Sequence, residues 1–369
     1  MKSHLEVINI KEHSPEWYAF RLTGIGGSEA GSVLGLNKWE ASIELFHKKI
    51  GTVSMNIEPN EAMFHGTHLE EYVAKLWQYW DGEDGGYMRN YNAQKVIRKA
   101  RRVNGYVKNP KYPWLFASVD RLMNIGSHKI SDGSMIEEEG ILEVKTISSW
   151  SMKMWEGGIP PYHITQVIQY MTILETDYAE FAILKDGRYL SVLPVDLKSR
   201  ESNVIAERIL DETKDFWYNR VVPAQEAYRK RQEAERQGNT TLVQECDAQI
   251  AELEPLPDGS EAYKKFLSQS ELREPDTAEG DMSQYELAKK VKMAQAMKKR
   301  LEEVETKAKS ELMKYMRDNN VEVLDFDNLG YCDLKGKKGS DNLTFNVRIK
   351  QKPDDEDING EVNKLEYDY

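Results

Sequence analysis

A short apolar run with a Glu-x-Lys inside it, Ile141-Leu142-Glu143-Val144-Lys145, constrains this chain more than any other feature. Apolar and β-branched residues bounded by polar clusters read as a buried strand. Side chains alternate along a strand, so Glu143 and Lys145 share a face while Val144 points into the core. An earlier run, Trp114-Leu115-Phe116-Ala117-Ser118-Val119-Asp120, reads as a second buried strand that ends on a carboxylate. Together the two runs bring three polar groups to a sheet edge. Two carboxylates can hold a hard divalent cation through oxygen, and an adjacent lysine can orient or deprotonate water. That is the apparatus for metal-assisted hydrolysis of a phosphodiester. Taken alone, the pattern also fits a strand whose charges face water.

Four further segments, in order, favour the site. The first is Trp17-Tyr18-Ala19-Phe20-Arg21, leading into Leu22-Thr23-Gly24-Ile25-Gly26-Gly27-Ser28-Glu29-Ala30. The second, Phe64-His65-Gly66-Thr67-His68-Leu69-Glu70-Glu71, opens an amphipathic helix with Val73, Leu76, Trp77 and Trp80 on one side. The third is Ala117-Ser118-Val119-Asp120-Arg121, and the fourth His163-Ile164-Thr165-Gln166-Val167-Ile168-Gln169-Tyr170. As an ordered set over about residues 15 to 185, these resemble the YqaJ-like viral recombinases and lambda exonuclease, a family of PD-(D/E)xK nucleases. The resemblance implies an α/β fold, a PD-(D/E)xK core whose mixed central sheet is flanked by helices. It implies that Asp120, Glu143, the Val144 carbonyl and Glu70 hold one or two Mg²⁺ ions, with Mn²⁺ able to substitute. Lys145 then positions the nucleophile, and Gln166 and Tyr170 line the DNA path beside it. Arg21, Ser28 and Ser118 are the candidates for holding a 5′ phosphate. One departure stands out: lambda-type exonucleases place an arginine soon after the catalytic lysine, and residues 146 to 153 here contain none.

Composition sets the outer bounds. With 369 residues, 40% of them hydrophobic, the chain can bury one large core or two domains. No apolar stretch reaches membrane-spanning length, and the first residues lack the apolar segment of a signal peptide. Two cysteines, Cys246 and Cys332, exclude a disulfide framework and a four-cysteine zinc or iron–sulfur site within the chain, so a reducing cytoplasm is the expected compartment. Net charge of −12 argues against a nucleic-acid partner only as an average. From Gly85 to Val119 there is no acidic residue, while eight Lys or Arg occur among Tyr87, Tyr91, Tyr106, Tyr112 and Trp114. Cations neutralise phosphates and aromatics stack on bases, so this stretch is expected to contact DNA.

Along the chain, helices are expected from Pro15, with Ser28 capping a second helix, over 41–49 and over 61–80; strands over about 87–145; a helix over 162–174; a hairpin over 178–195; and a helix over 202–218. This places the nuclease core in residues 1–222. Residues 223–369 then form a helical and small β C-terminal extension: two short helices to Leu253, a linker at 274–281, a long amphipathic helix over 283–317, a tail of short strands and a frayed acidic end at 353–369. Gly24-x-Gly26-Gly27 lacks the strand-to-helix setting of a dinucleotide loop, and the stripe of the long helix reads first as packing material.

The function this supports is a Mg²⁺-dependent deoxyribonuclease. By resemblance it is a 5′-to-3′ exonuclease of phage-type homologous recombination, acting on duplex DNA with free ends, supplying a single-strand annealing protein and assembling as a homo-oligomeric ring trimer. Two rivals remain: a metal-dependent endonuclease of restriction or repair type, and a non-catalytic DNA-binding assembly protein.

Overall fold

Five strands make the central sheet of the computed structural model, which describes residues 2–11, 14–55, 60–83, 85–124, 128–129, 133, 135–136, 139–269, 279–336 and 343–349. They are β1 (Lys99–Arg102), β2 (Arg121–Asn124), β3 (Glu139–Ile147), β4 (Tyr178–Lys185) and β5 (Tyr189–Asp196), in the order β5-β4-β3-β2-β1. Only β3 and β4 run parallel; the other pairings are antiparallel, so the sheet is mixed. Helices α1 (Pro15–Arg21), α2 (Gly27–Val33), α3 (Ser42–Ile50) and α4 (Glu61–Trp77) precede it. The parallel pair needs a crossover, supplied by α5 (Pro161–Leu174), and α6 (Arg200–Asp215) follows the sheet. This is the expected α/β core with helices on both faces.

The strand period explains the two layers. Ile141, Phe181 and Ile183 project into a cluster with Val167, Ile168 and Met171 of α5. Leu142, Val144, Ala182 and Leu184 project the other way, against Val73 and Trp77 of α4. The central strands are therefore buried on both faces, which is why they read as unbroken apolar runs rather than alternating ones. A buried polar knot ties α4 to the sheet: Glu180 accepts from Trp77 Nε1 at 2.7 Å, from Arg98 and from the Tyr178 hydroxyl. The β4–β5 turn places Asp186 at φ 50° and Gly187 at φ 66°, a left-handed pair closed by the Arg188 N–H on the Lys185 carbonyl at 2.9 Å, inside a three-residue loop between the paired Lys185 and Tyr189.

Four expectations change. Residues Gly86–Asn92 form a helix, not a strand. The run 114–120 is not one strand: Leu115–Phe116 pairs with Ile25–Gly26, and after a break Asp120 precedes β2 rather than ending a strand. Helix α2 is capped at Gly26, whose N–H is taken by Glu29 at 2.7 Å, and Ser28 lies inside the first turn.

The fourth change is the boundary at 222/223. Pro223 does not stop the chain; a π-helical stretch, Phe216–Val221, carries α6 into α7 (Val222–Arg236). Pro223 has no N–H for a regular helical ladder, and it follows directly on the wider π-helical turn, where the α-helical bonding is already interrupted. Ala224 and Ala227 of α7 are buried in the main core. After α8 (Thr240–Leu253), α9 (Glu261–Gln269) sets Ala262 and Tyr263 against Ala41 and Ile43. The compact unit accordingly runs Met1–Glu271. The second unit, Leu272–Tyr369, contains α10 (Met282–Asp318, 37 residues) and an antiparallel sheet of Val323–Asp325, Gly330–Gly336 and Leu343–Ile349. The acidic end at 353–369 and residues 274–278 of the linker lie outside the described residues. Among the described residues no helix is long and apolar enough to cross a membrane.

Candidate active site

β2 and β3 pair antiparallel with Arg121 opposite Leu142. Continuing that register by one residue sets Asp120 level with Glu143, and Asp120 Oδ2 accepts a hydrogen bond from the Val144 N–H at 2.8 Å. Glu143 retains 1% of its accessible surface. Its Oε1 accepts from Lys145 Nζ at 2.5 Å and from Gln166 Nε2 at 3.0 Å, and Gln166 Nε2 also lies 3.1 Å from the Tyr170 hydroxyl. Gln166 and Tyr170 are four residues apart and so occupy one face of α5. Strand alternation turns Glu143 and Lys145 towards α5 while Val144 joins the α4 side. Asp120, Glu143, Lys145, Gln166 and Tyr170 therefore converge.

The electrostatics are those of a crowded, desolvated carboxylate pair. Burial and the neighbouring Glu143 push the Asp120 carboxyl up to about 8. Burial works against a charged Lys145, but Glu143 and Asp120 outweigh it and hold the ammonium above the usual lysine value. Burial beside Glu143 also raises the Tyr170 phenol well above its ordinary value. His163 packs on Trp155, ring centroids 5.4 Å apart, and burial together with Lys145 lowers its pKa to about 3, so it is neutral beside the site.

The donors suit a hard cation. Glu143 Oε2 is buried without a hydrogen-bond partner among the described residues, and it lies beside the second carboxyl and a single ammonium. Such an arrangement, all oxygen and net negative once Asp120 yields its proton to an incoming cation, fits Mg²⁺ or a similar ion better than a soft metal. No cluster of three or more His, Cys, Asp or Glu side chains forms among the described residues, so the side chains brought together are two carboxylates. Glu70 is not brought into contact with them. Its carboxylate takes Arg121 at 2.7 Å and Arg102 at 2.9 Å. Arg121, 4% exposed, also binds Glu71 and the Asp120 carbonyl.

The other candidates lie on the adjoining layer. The ladder Ile25↔Leu115, Gly26↔Phe116 is parallel, so Ser28 and Ser118, each two residues beyond a paired position, follow the same end of it. Arg21, the last residue of α1, stacks its guanidinium 4.8 Å from the Trp17 ring centroid and donates to Glu29 Oε1 at 2.5 Å. The glycines between them serve close packing. A Cβ at Gly24 would meet the Trp114 carbonyl oxygen at 2.7 Å, one at Gly26 the Phe116 ring at 2.8 Å, and one at Gly27 would enter the Tyr170 ring.

The basic stretch is less available than its composition suggests. Arg89, Arg98, Arg101, Arg102 and Lys111 pair with Glu83, Glu180, Glu139, Glu70 and Glu175. Tyr87, Tyr106 and Trp114 are buried rather than free to stack on bases. The cations mainly balance acidic residues supplied by other parts of the chain. Sequence patterns also passed over Lys49, and read Arg121, His163 and Glu29 only as parts of motifs. Their partners lie far away in sequence, and no local spacing marks them.

Residues 16–179 match the YqaJ-like viral recombinase domain. The uncharacterized protein YqaJ of Bacillus subtilis (strain 168) is 31% identical over 240 residues, which are 62% of this chain and 66% of that protein. The chain thus spans just under two thirds of that relative's length. Among solved structures, an alkaline exonuclease from Laribacter hongkongensis is similar over 60% of this chain and 99% of its own, with 20% identity and a TM-score of 0.43. A phage-related exonuclease from Haemophilus somnus 129PT is similar over 52% of this chain and 92% of its own, with 12% identity and a TM-score of 0.33.

Proposed function

We propose, from the match of residues 16–179 to the YqaJ-like viral recombinase domain, that the chain is a Mg²⁺-dependent deoxyribonuclease that digests one strand of duplex DNA from a 5′ end. The observation that carries the reading is the convergence of Asp120, Glu143 and Lys145, with Glu143 fixed by Gln166. Asp120, Glu143 and the Val144 carbonyl would hold the Mg²⁺, which when bound acidifies water and neutralises charge on the phosphate.

The chain's own groups do the rest. Lys145, kept charged by Glu143 and Asp120, orients the attacking oxygen and stabilises negative charge on the pentacoordinate phosphate. Gln166 fixes the rotamer of Glu143, so the carboxylate needs no reorganisation when substrate arrives. Arg121 binds the Asp120 carbonyl and draws Glu70 and Glu71 to itself, so the Asp120 carboxylate would be left to the metal. Arg21, Ser28 and Ser118 receive the terminal phosphate. The strand left behind is the substrate for a single-strand annealing protein, and a ring of several copies would keep the enzyme on its track.

Linear duplexes labelled separately at the 5′ and 3′ ends, and a covalently closed circle, incubated with and without Mg²⁺, test the reading. Mg²⁺-dependent loss of the 5′ label as short products, with the circle intact, is expected. Cleavage of the circle would replace it with an endonuclease, and no cleavage of any substrate would refute it.

A further inference from the structure

Arg21, Glu29 and Lys49 form a charge cluster that hydrolysis at Asp120 and Glu143 does not use. Glu29 retains 3% of its side-chain surface, Lys49 none and Arg21 20%. Both Glu29 oxygens are engaged: Oε1 takes Arg21 Nη2 at 2.5 Å, and Oε2 takes Lys49 Nζ at 2.7 Å and the Gly26 N–H at 2.7 Å. Lys49 also donates to the Arg21 carbonyl oxygen at 2.6 Å, so one buried ammonium ties down both the carboxylate and the backbone of the arginine.

We propose that Glu29, clamped by Lys49, is a positioning residue that aims the Arg21 guanidinium at the 5′-terminal phosphate of the DNA. This rests on the reading of the protein as a 5′-end nuclease. Three features carry it. First, a buried Glu29–Lys49 pair would be neutral and complete by itself. Adding Arg21 sets a second cation on the same carboxylate, with Glu40, itself held by Lys48, as the further carboxylate that both cations feel, and Arg21 is the cation that reaches solvent. A cation that shares its buried carboxylate with another is only partly answered, and a phosphate monoester can complete its partners. Second, the guanidinium is fixed in two directions. The Trp17 ring lies against it, 4.8 Å from centroid to guanidinium carbon, and Glu29 takes Nη2, while no other acceptor among the described residues meets its remaining N–H groups. A planar fork with a free edge is the geometry that grips phosphate through parallel hydrogen bonds.

Third, the clamp shares a frame with the candidate active site. Glu29 lies on α2, whose first residue Gly27 abuts the Tyr170 ring, and Tyr170 meets Gln166, which holds Glu143. A shift of the clamp would thus be a shift relative to the reacting phosphodiester. Although burial works against it, Lys49 and Arg21 hold the Glu29 carboxyl at about 2, so the clamp stays ionised at working pH.

The test is the ratio of kcat/KM on 5′-phosphorylated and 5′-hydroxyl duplex ends, measured on one preparation of the full chain so that the folded fraction cancels. Wild type should prefer the phosphate, and Arg21→Lys should lose most of that preference. Glu29→Gln should lower the ratio about tenfold or more, the worth of one well-aimed charged hydrogen bond, while 5′-hydroxyl ends lose much less. Glu29→Asp, which keeps the charge but shortens the arm by one methylene, should fall between. It carries the same readout should Glu29→Gln not fold. A Glu29→Gln ratio equal to that of wild type, or equal losses on both ends, overturns the proposal. Wild-type digestion without preference between the ends also overturns it and leaves the nuclease reading standing; no Mg²⁺-dependent digestion of either end overturns both.

Discussion

Replacing Asp120 by asparagine should make the metal-free protein more stable at neutral pH while abolishing cleavage. The Asp120 carboxyl is displaced from its ordinary 3.8 to about 8, by burial first and the Glu143 carboxylate second. A folded pKa above the unfolded one means that the protonated form carries stability. That stability is complete below about pH 4 and is lost as pH rises towards 8. At pH 7 the displacement corresponds to a cost on the order of 4 kcal/mol. Relaxation and water penetration return part of it, so about 2–4 kcal/mol is expected from replacing the titrating carboxyl, which must take up a proton to fold, by a neutral amide. Asparagine keeps an oxygen for the Val144 N–H and adds an amide N–H donor beside Glu143, whose Oε2 is otherwise unbonded.

For a unit of this size each kcal/mol moves the melting temperature by about 2–4 °C, so Asp120→Asn should melt roughly 5–10 °C above wild type at pH 7.5 in EDTA. The gap should narrow towards pH 5, where wild-type Asp120 is protonated at little cost. Excess Mg²⁺ should raise the melting temperature of wild type and leave the variant nearly unmoved. Scanning calorimetry at the two pH values, with EDTA and then with Mg²⁺, reads all of this. A variant that melts below wild type at pH 7.5 in EDTA, or a gap independent of pH, would refute the reasoning and make Asp120 a structural carboxylate.

Lys145→Met should cut Mg²⁺-dependent cleavage by several orders of magnitude while a filter-binding assay shows duplex DNA still bound; retained turnover would remove Lys145 from the chemistry. Gly27→Ala drives a methyl into the Tyr170 ring, so it should cost about 1–3 kcal/mol in urea unfolding and slow cleavage through displaced Gln166 and Glu143. A chain shortened to end at Glu271 should fold and cut linear DNA, because the compact unit ends there. One ending at Pro223 should not fold, because it exposes the surface that Ala224 and Ala227 cover; a cooperative melt from that shorter chain would contradict the packing.

How much of this could be read from the chain follows from the range of the forces involved. Glu143, Val144 and Lys145 declared their faces because strand alternation is local, and Gln166 and Tyr170 declared theirs because four residues make one helical turn. Asp120 was legible as a residue but not as a position. The run before it looks continuous, and only pairing with Ile25–Gly26 shows that the strand breaks and restarts. Pro223 was misread for a similar reason, since a wide turn before it carries the helix through.

Charge was the least legible, because ion pairs here ignore sequence distance. The acid-free stretch from Gly85 to Val119 looked like a free cationic surface. Folding brings it Glu70, Glu139, Glu175 and Glu180 from four other segments, and these claim Arg102, Arg101, Lys111 and Arg98. The same reach assembles the positive charge that remains useful. Arg21 and Lys49 are 28 residues apart, and neither suggests an anion site alone. They share one buried carboxylate, and Arg21 is the partner that reaches solvent, beside the helix that meets Tyr170. On the proposed reading, a chain of net charge −12 would still present a cationic grip to a DNA end, since what a phosphate meets is the local field of a few fixed groups rather than the total.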